Sequence, residues 1–331
     1  MANADIHPPK TLLGSRPRTA ALLSNTAISI AFDLHETRAV NAKAWYTGLG
    51  VFSLTAIFIT MASLIGAVTL ASSLAEQRGL TLALGVLGAL GIAAQIALLA
   101  TPLKRRWLAA RFSAERLRGI KFQAFAYAAS EGGEEAVKEY TDAAIAKLDV
   151  ELDRPMAAMH EFEPDAALGN APSASAVLTP SMLAELKEGY RILRLDYQIS
   201  HARHCITTIR EESRLPAAAS EISFWLGAAL GFIDLVLGGA NIDQWSAPRQ
   251  FLTLFLFVLS AILFVFERGR SHNAALERYE DYAKKLAGAA RALDQAETPG
   301  AFIGAVREAE LAALAELKSF CREAEKSTYL F

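Results

Sequence analysis

The chain has 331 residues, 53% of them apolar and 21% charged, and a mean hydropathy of +0.24. Its 33 basic and 35 acidic side chains leave a net charge of −2; this excludes general disorder and gives no footprint for nucleic acid, and the chain is too hydrophobic for an ordinary soluble enzyme. Eleven prolines and 21 glycines collect in a few places, against an all-β fold with turns at regular intervals.

Residues 1–43 read as a cytoplasmic N-terminal segment, because the first apolar run begins only at Ala44 and is too long for the h-region of a cleaved signal peptide. Residues 44–103 form the first predicted transmembrane hairpin. No charged residue lies between Lys43 and Glu76, and a second uncharged run covers Gly79 to Leu103. At 1.5 Å per residue each run exceeds the roughly 30 Å hydrocarbon core. Residues 104–152 then read as cytoplasmic helices. The first, KRRWLAARFSAERLRGIKFQAFAYAA, continues the second span and stops at Ser130 to Gly133; a shorter acidic one runs from Glu134 to about Glu151.

Residues 153–180, punctuated by Pro155, Pro164, Pro172 and Pro180, read as a Pro/Ala/Ser-rich linker at a domain boundary. Thr179 and Pro180 supply an N-cap and a proline at the first helical position for a cytoplasmic helix over residues 181–221. Leu183, Leu186, Tyr190, Leu193 and Tyr197 recur at intervals of three and four, an apolar seam that requires a partner helix in the same chain or in another copy. Residues 222–266 form the second predicted hairpin, apolar over Ile222 to Ala240 except at Asp234, with 16 apolar positions from Phe251 to Phe266. Trp245 and Arg249 extend the last span by interfacial anchoring and snorkelling. Residues 267–331 form a helical cytoplasmic C-terminus, in which Thr298 and Pro299 start a final helix with Ile303, Val306, Leu314 and Leu317 on one stripe.

The reading is an all-α membrane protein with two transmembrane hairpins, four spans in all, and long cytoplasmic helices. Thirteen basic residues flank the spans on the side of the termini, from Arg38 and Lys43 through Lys104, Arg105 and Arg106 to Arg278, while the opposite loops carry only Arg78 and Arg249. The positive-inside rule therefore places both termini in the cytoplasm. The order of helix, hairpin and returning helices occurs twice and reads as an architectural duplication.

No phosphate loop, GxSxG elbow or HExxH motif occurs. The expectation is a non-enzyme with no catalytic residue, cofactor or metal. His201, His204 and Cys205 are the nearest to a ligand cluster, and no fourth ligand is evident. Cys205 and Cys321 read as free thiols of a reducing compartment. Gly85, Gly88 and Gly91, then Gly227 and Gly231, form small-residue faces for helix packing, within a hairpin or between subunits; Ala62 and Gly66 form another. Asp234 is the sharpest polar residue, because an ionisable group inside a span has either a water-filled lumen or the headgroups around it. Gln95 poses the same pore-lining question more weakly.

The sequence YRILRLDYQI, with Tyr190, Arg191, Arg194, Leu195 and Gln198, precedes the third span; WLAARFSAERLR, with Trp107, Glu115, Leu117 and Arg118, follows the second, and Tyr279 and Leu286 follow the fourth. With the hairpins between them these resemble the SMODS- and SLOG-associating two-transmembrane effector family, SLATT, over about Ala44 to Glu151 and Ser181 to Glu325. The chain departs from the family in carrying two hairpin units in tandem, and in having Phe320 where a tryptophan is expected. The resemblance implies a bacterial inner-membrane effector of a conflict or antiphage system. Such a protein oligomerises with itself in the lipid bilayer and perforates or depolarises it when a nucleotide second messenger, or a nucleotidyltransferase-linked sensor, engages its cytoplasmic helices. A membrane-anchored scaffold that recruits a soluble partner without conduction is the alternative.

Overall fold

The computed structural model describes the backbone of residues 5–8, 11, 14, 16–69, 78–239, 246–270 and 272–326. Helices account for nearly all of it, and the β content among the described residues is one isolated bridge between Ser130 and Ala174. Among the described residues four helices are long and apolar enough to cross a membrane, so the chain is an all-α, multi-pass membrane protein. The chain divides into two compact units. The described residues of 1–41, 105–208 and 273–326 form the first; those of 42–104 and 209–272 form the second.

Among the described residues the helices are, in order, α1 (Pro17–Leu23), α2 (Thr26–Thr69), α3 (Arg78–Ala100), α4 (Leu103–Ala128), α5 (Glu134–Leu152), α6 (Pro155–His160) and α7 (Pro164–Leu168). They continue as α8 (Pro180–Tyr190), a π-helical segment (Arg191–Asp196), α9 (Tyr197–Gly239), α10 (Ser246–Arg270), α11 (His272–Gln295) and α12 (Pro299–Lys326). Several boundaries follow the expected local chemistry. The Thr179 hydroxyl accepts the Met182 N–H at 3.4 Å, with Pro180 opening α8. After α4, Gly132 (φ 91°) and Gly133 (φ 50°) turn the chain in the left-handed region.

The structure departs from the sequence expectation at three places. The second span does not continue into the next helix: α3 ends at Ala100 and α4 starts at Leu103. Pro102 cannot donate the backbone hydrogen bond that continuity needs, and it biases Thr101 away from helical dihedrals. Residues 153–180 are not a boundary linker. They belong to the first unit, form α6 and α7, and bury Met159, Phe162 and Leu168, with the Phe162 ring edge-on to Phe112 at 5.2 Å. The two sequence halves are also not separate domains, since both contribute helices to each unit.

Within the first unit, α4 is buried on every side from Trp107 to Ala126 apart from Ala109, Arg111 and Glu115, which are partly covered. The seam residues Leu183, Leu186, Tyr190 and Leu193 are buried against Phe122, Phe125, Leu286, Leu293, Phe302 and Val306. Tyr197 is half-buried. The seam thus finds its partner helices in its own chain. A second cluster joins Ile6, Ile28, Phe32, Leu117, Ile120 and Leu148.

In the second unit, the hairpins pack closely. A Cβ on Gly88 would stand 2.8 Å from the Thr60 methyl, and one on Gly91 would stand 2.9 Å from Ala56 Cβ. Gly227 and Gly231 face Leu256 and Thr253 of α10 in the same way, at 3.4 Å and 3.5 Å. Gly85 differs from the expectation, because nothing lies within 4 Å of its would-be Cβ. Phe58 and Phe255 meet at 5.7 Å and Gly66 faces Phe251, so α2 touches α10. Large apolar side chains such as Val68, Leu82, Ile96, Trp225 and Leu235 are exposed, the surface that lipid would cover.

Candidate functional site

Helix α4 buries charged side chains inside the first unit, and a buried charge is tolerated only when paired and hydrogen-bonded. The centre is Glu310 of α12, which is fully buried. Its carboxylate accepts Arg194 Nε and Nη2, both at 2.8 Å, in a bidentate pair, and the Tyr190 hydroxyl at 2.8 Å. Burial alone would lower the Arg194 pKa, but Glu310 more than reverses this and holds it well above the usual value. Burial raises the Tyr190 pKa well above its ordinary value, and the hydroxyl stays protonated.

From Arg194 the network continues through Asp5, whose Oδ2 lies 3.8 Å from Arg194 Nη1 and 2.9 Å from Arg118 Nε. Arg118 Nη1 donates to Glu115 at 2.5 Å, and Arg111 joins Glu115 at 2.6 Å and Glu36 at 3.4 Å. Burial would raise the Glu115 carboxyl, yet Arg111 and Arg118 together pull it down to about 2. Aromatic faces complete the solvation: Arg118 lies 4.9 Å over Phe32 and Arg194 4.9 Å over Phe122.

Beside this network opens a cavity of about 370 Å³ lined by Glu36, Arg111, Arg118, Gln198, Tyr279 and Glu316, among others. His201 and Tyr282 also face it. Burial raises the Glu316 carboxyl, which Arg278 partners at 3.1 Å; partial burial lowers the His201 pKa. The cavity brings carboxylates, guanidinium groups and tyrosine rings together. Its two arginines are already engaged by Glu36 and Glu115, so an anionic ligand would have to displace those carboxylates.

The His201 ring stands 3.6 Å from Cys205 Sγ, while His204 is exposed. Among the described residues no group of three His, Cys, Asp or Glu could hold a metal ion. Burial raises both thiols, Cys321 to about 12, so neither is an activated nucleophile.

In the spans, polar side chains pair within hairpins. Ser53 donates to the Gly91 carbonyl at 2.9 Å and approaches Gln95 Oε1 at 3.1 Å, whereas Gln95 Nε2 is buried with no acceptor among the described residues. Ser220 and Ser260 exchange hydrogen bonds with each other's carbonyls at 3.1 Å and 2.9 Å. Asp234 has a direct partner in the neighbouring helix. Its carboxylate accepts Arg249 Nε at 2.6 Å across the second hairpin, with both side chains largely buried. A direct counter-ion compensates the acid.

Tyr190, Arg194, Gln198, Glu115 and Arg118, singled out by the family resemblance, converge on the network and cavity. Sequence reasoning missed Asp5, Glu36, Glu310 and Glu316. Glu310 left a legible signal, since it interrupts the apolar stripe of α12 four residues from both Val306 and Leu314. The chain matches no family model, no curated protein and no solved structure.

Proposed function

We propose that the chain is a non-enzymatic effector of the bacterial inner membrane, of the SLATT type, with both termini in the cytoplasm, which oligomerises and depolarises the membrane as part of a conflict or antiphage system. The observation that carries the reading is the union in one chain of four membrane-length helices, among the described residues, with a helical unit built around a buried network of charged side chains. In the second hairpin Asp234 is taken up by Arg249 and Ser220 by Ser260. A conducting path then forms between copies rather than through one. The apolar, lipid-type faces and the open face at Gly85 are available for contact between copies.

The trigger in this reading is a nucleotide-derived signal, or a partner that senses one, acting on the first unit. A phosphate group entering the 370 Å³ cavity competes with Glu36 and Glu115 for Arg111 and Arg118, and aromatic rings there suit a base. Helices α2 and α9 carry residues of both units, so displacement of their first-unit segments has a continuous helical route to the spans. The scaffold alternative is less favoured because the seam it would offer a partner is buried in the chain's own core. Planar-bilayer recording on purified full-length protein tests the reading. Stepwise conductance that grows steeply with protein density supports it; silent bilayers that contain inserted, crosslinkable protein contradict it.

A further inference from the structure

A second cavity in the first unit has a different chemistry. Its volume is about 510 Å³, within the range of roughly 300 to 1,000 Å³ usual for small-molecule sites. Leu22, Ile28, Ala128, Val137, Leu178 and Met182 give it mostly apolar walls. One wall carries Lys121, which is only 1% exposed. The other buried cations of α4, Arg116 and Arg118, each have a carboxylate within 3.2 Å. Lys121 has none at ion-pair distance among the described residues: its Nζ donates to the Ile6 carbonyl at 2.8 Å and approaches Ser29 Oγ at 3.4 Å, both neutral.

A buried ammonium held only by neutral acceptors is costly, and a charged counter-ion would relieve the cost. Burial pushes the Lys121 pKa down to about 8, against the weaker opposing pull of Asp5 and Asp33, so at neutral pH the group is still mainly a cation. An ammonium has three donors, and the two acceptors here leave capacity for one more. Arg18 and Lys138 also line the cavity, opposed by Glu134 and Asp142. The two acids disfavour a polyanion such as a nucleotide.

We propose that this cavity binds an amphipathic monoanion, an apolar body bearing a single carboxylate, with the carboxylate on Lys121 and the body among Leu22, Ile28, Val137 and Met182. The site is separate from the Arg111 and Arg118 cavity and does not depend on the effector reading.

Calorimetric titration of the full chain in lipid nanodiscs, corrected with empty nanodiscs, tests it with three probes of equal chain length: octanoate, octanol and octylammonium. Octanoate should bind at pH 7 at least tenfold more tightly than octanol, and octylammonium should not bind saturably. Lys121→Met, which removes a buried charge and preserves the apolar stem, should bring octanoate and octanol within twofold of each other. Val137→Phe, which fills the cavity and leaves Lys121 intact, should weaken both ligands several-fold. Equal affinity for octanoate and octanol in the wild type, tighter binding of the ammonium, no saturable binding, or a carboxylate preference that survives in Lys121→Met would each overturn the assignment.

Discussion

Replacing Glu310 with alanine removes the acceptor of three hydrogen bonds at once, and the cost can be estimated from who is left behind. Arg194, whose side chain is 4% exposed, loses both bonds of its bidentate pair and keeps only the Asp5 carboxylate at 3.8 Å. Tyr190 falls back on the Val306 carbonyl at 3.4 Å. Stranding one partner of a buried ion pair costs about 3 to 5 kcal/mol, a large share of a domain's net stability of about 5 to 15 kcal/mol. For a helical unit of this size each kcal/mol moves the midpoint by about 2 to 4 °C, so the expected loss is on the order of 10 °C. Unfolding of the full chain in nanodiscs, followed by intrinsic fluorescence at a fixed scan rate, reads it. The triple replacement Tyr190→Phe, Arg194→Met and Glu310→Leu should recover most of the loss, because an apolar core of similar volume needs no counter-charge. A Glu310→Ala midpoint within 1 °C of wild type, or a triple variant less stable than the single one, would refute the reasoning.

Lys121→Met should stabilise the chain at pH 7. The folded pKa of about 8 lies below lysine's ordinary 10.5, so between these values the unfolded state holds the extra proton and wild-type stability rises with pH. The variant's advantage, about 3 kcal/mol below pH 8, should therefore vanish by pH 10.5, and a gap that stays constant in chemical denaturation at pH 7 and pH 10 contradicts the assignment. Asp234→Ala strands Arg249 in the second hairpin, so protein abundance in the membrane should fall before any change in ion selectivity, with recovery in Asp234→Ala/Arg249→Leu; pulse-labelled membrane fractions compare them. Gly88→Leu and Gly91→Leu should loosen the first hairpin by driving side chains into Thr60 and Ala56, whereas Gly85→Leu should leave monomer stability unchanged, as melting in nanodiscs will record. Cysteines placed singly at positions 77 and 160 should label from outside intact cells only at 77; labelling of 160 would invert the topology.

The spans were legible because membrane length and apolarity are properties of one segment, and so were the Thr179 cap and the stop at Gly132 and Gly133, which rest on local backbone chemistry. The break at Pro102 was hidden by an apolar run that continues to Leu103 on both sides of it. Position 153–180 misled through composition: prolines and alanines suggest a linker, but Met159, Phe162 and Leu168 are spaced to plug gaps between helices, and only the packing reveals those gaps. The seam around Tyr190 announced that it needed a partner without saying whose. Periodicity carries no information on whether the complementary stripe, here Phe302 and Val306, lies in the same copy. The pairing of Asp234 with Arg249 joins residues fifteen positions apart and follows from the register of two antiparallel helices, which hydropathy does not contain.

Dissipation of the membrane potential is the activity proposed for this protein. It is tested most directly in bacteria that express the full chain together with the genes flanking its own, loaded with a potential-sensitive dye and sampled in parallel for membrane-inserted protein. Depolarisation that follows induction within minutes and scales steeply with the inserted protein, ahead of envelope rupture, is the expected result. A potential held at its resting value while the four-span protein accumulates and crosslinks in the membrane would contradict the account.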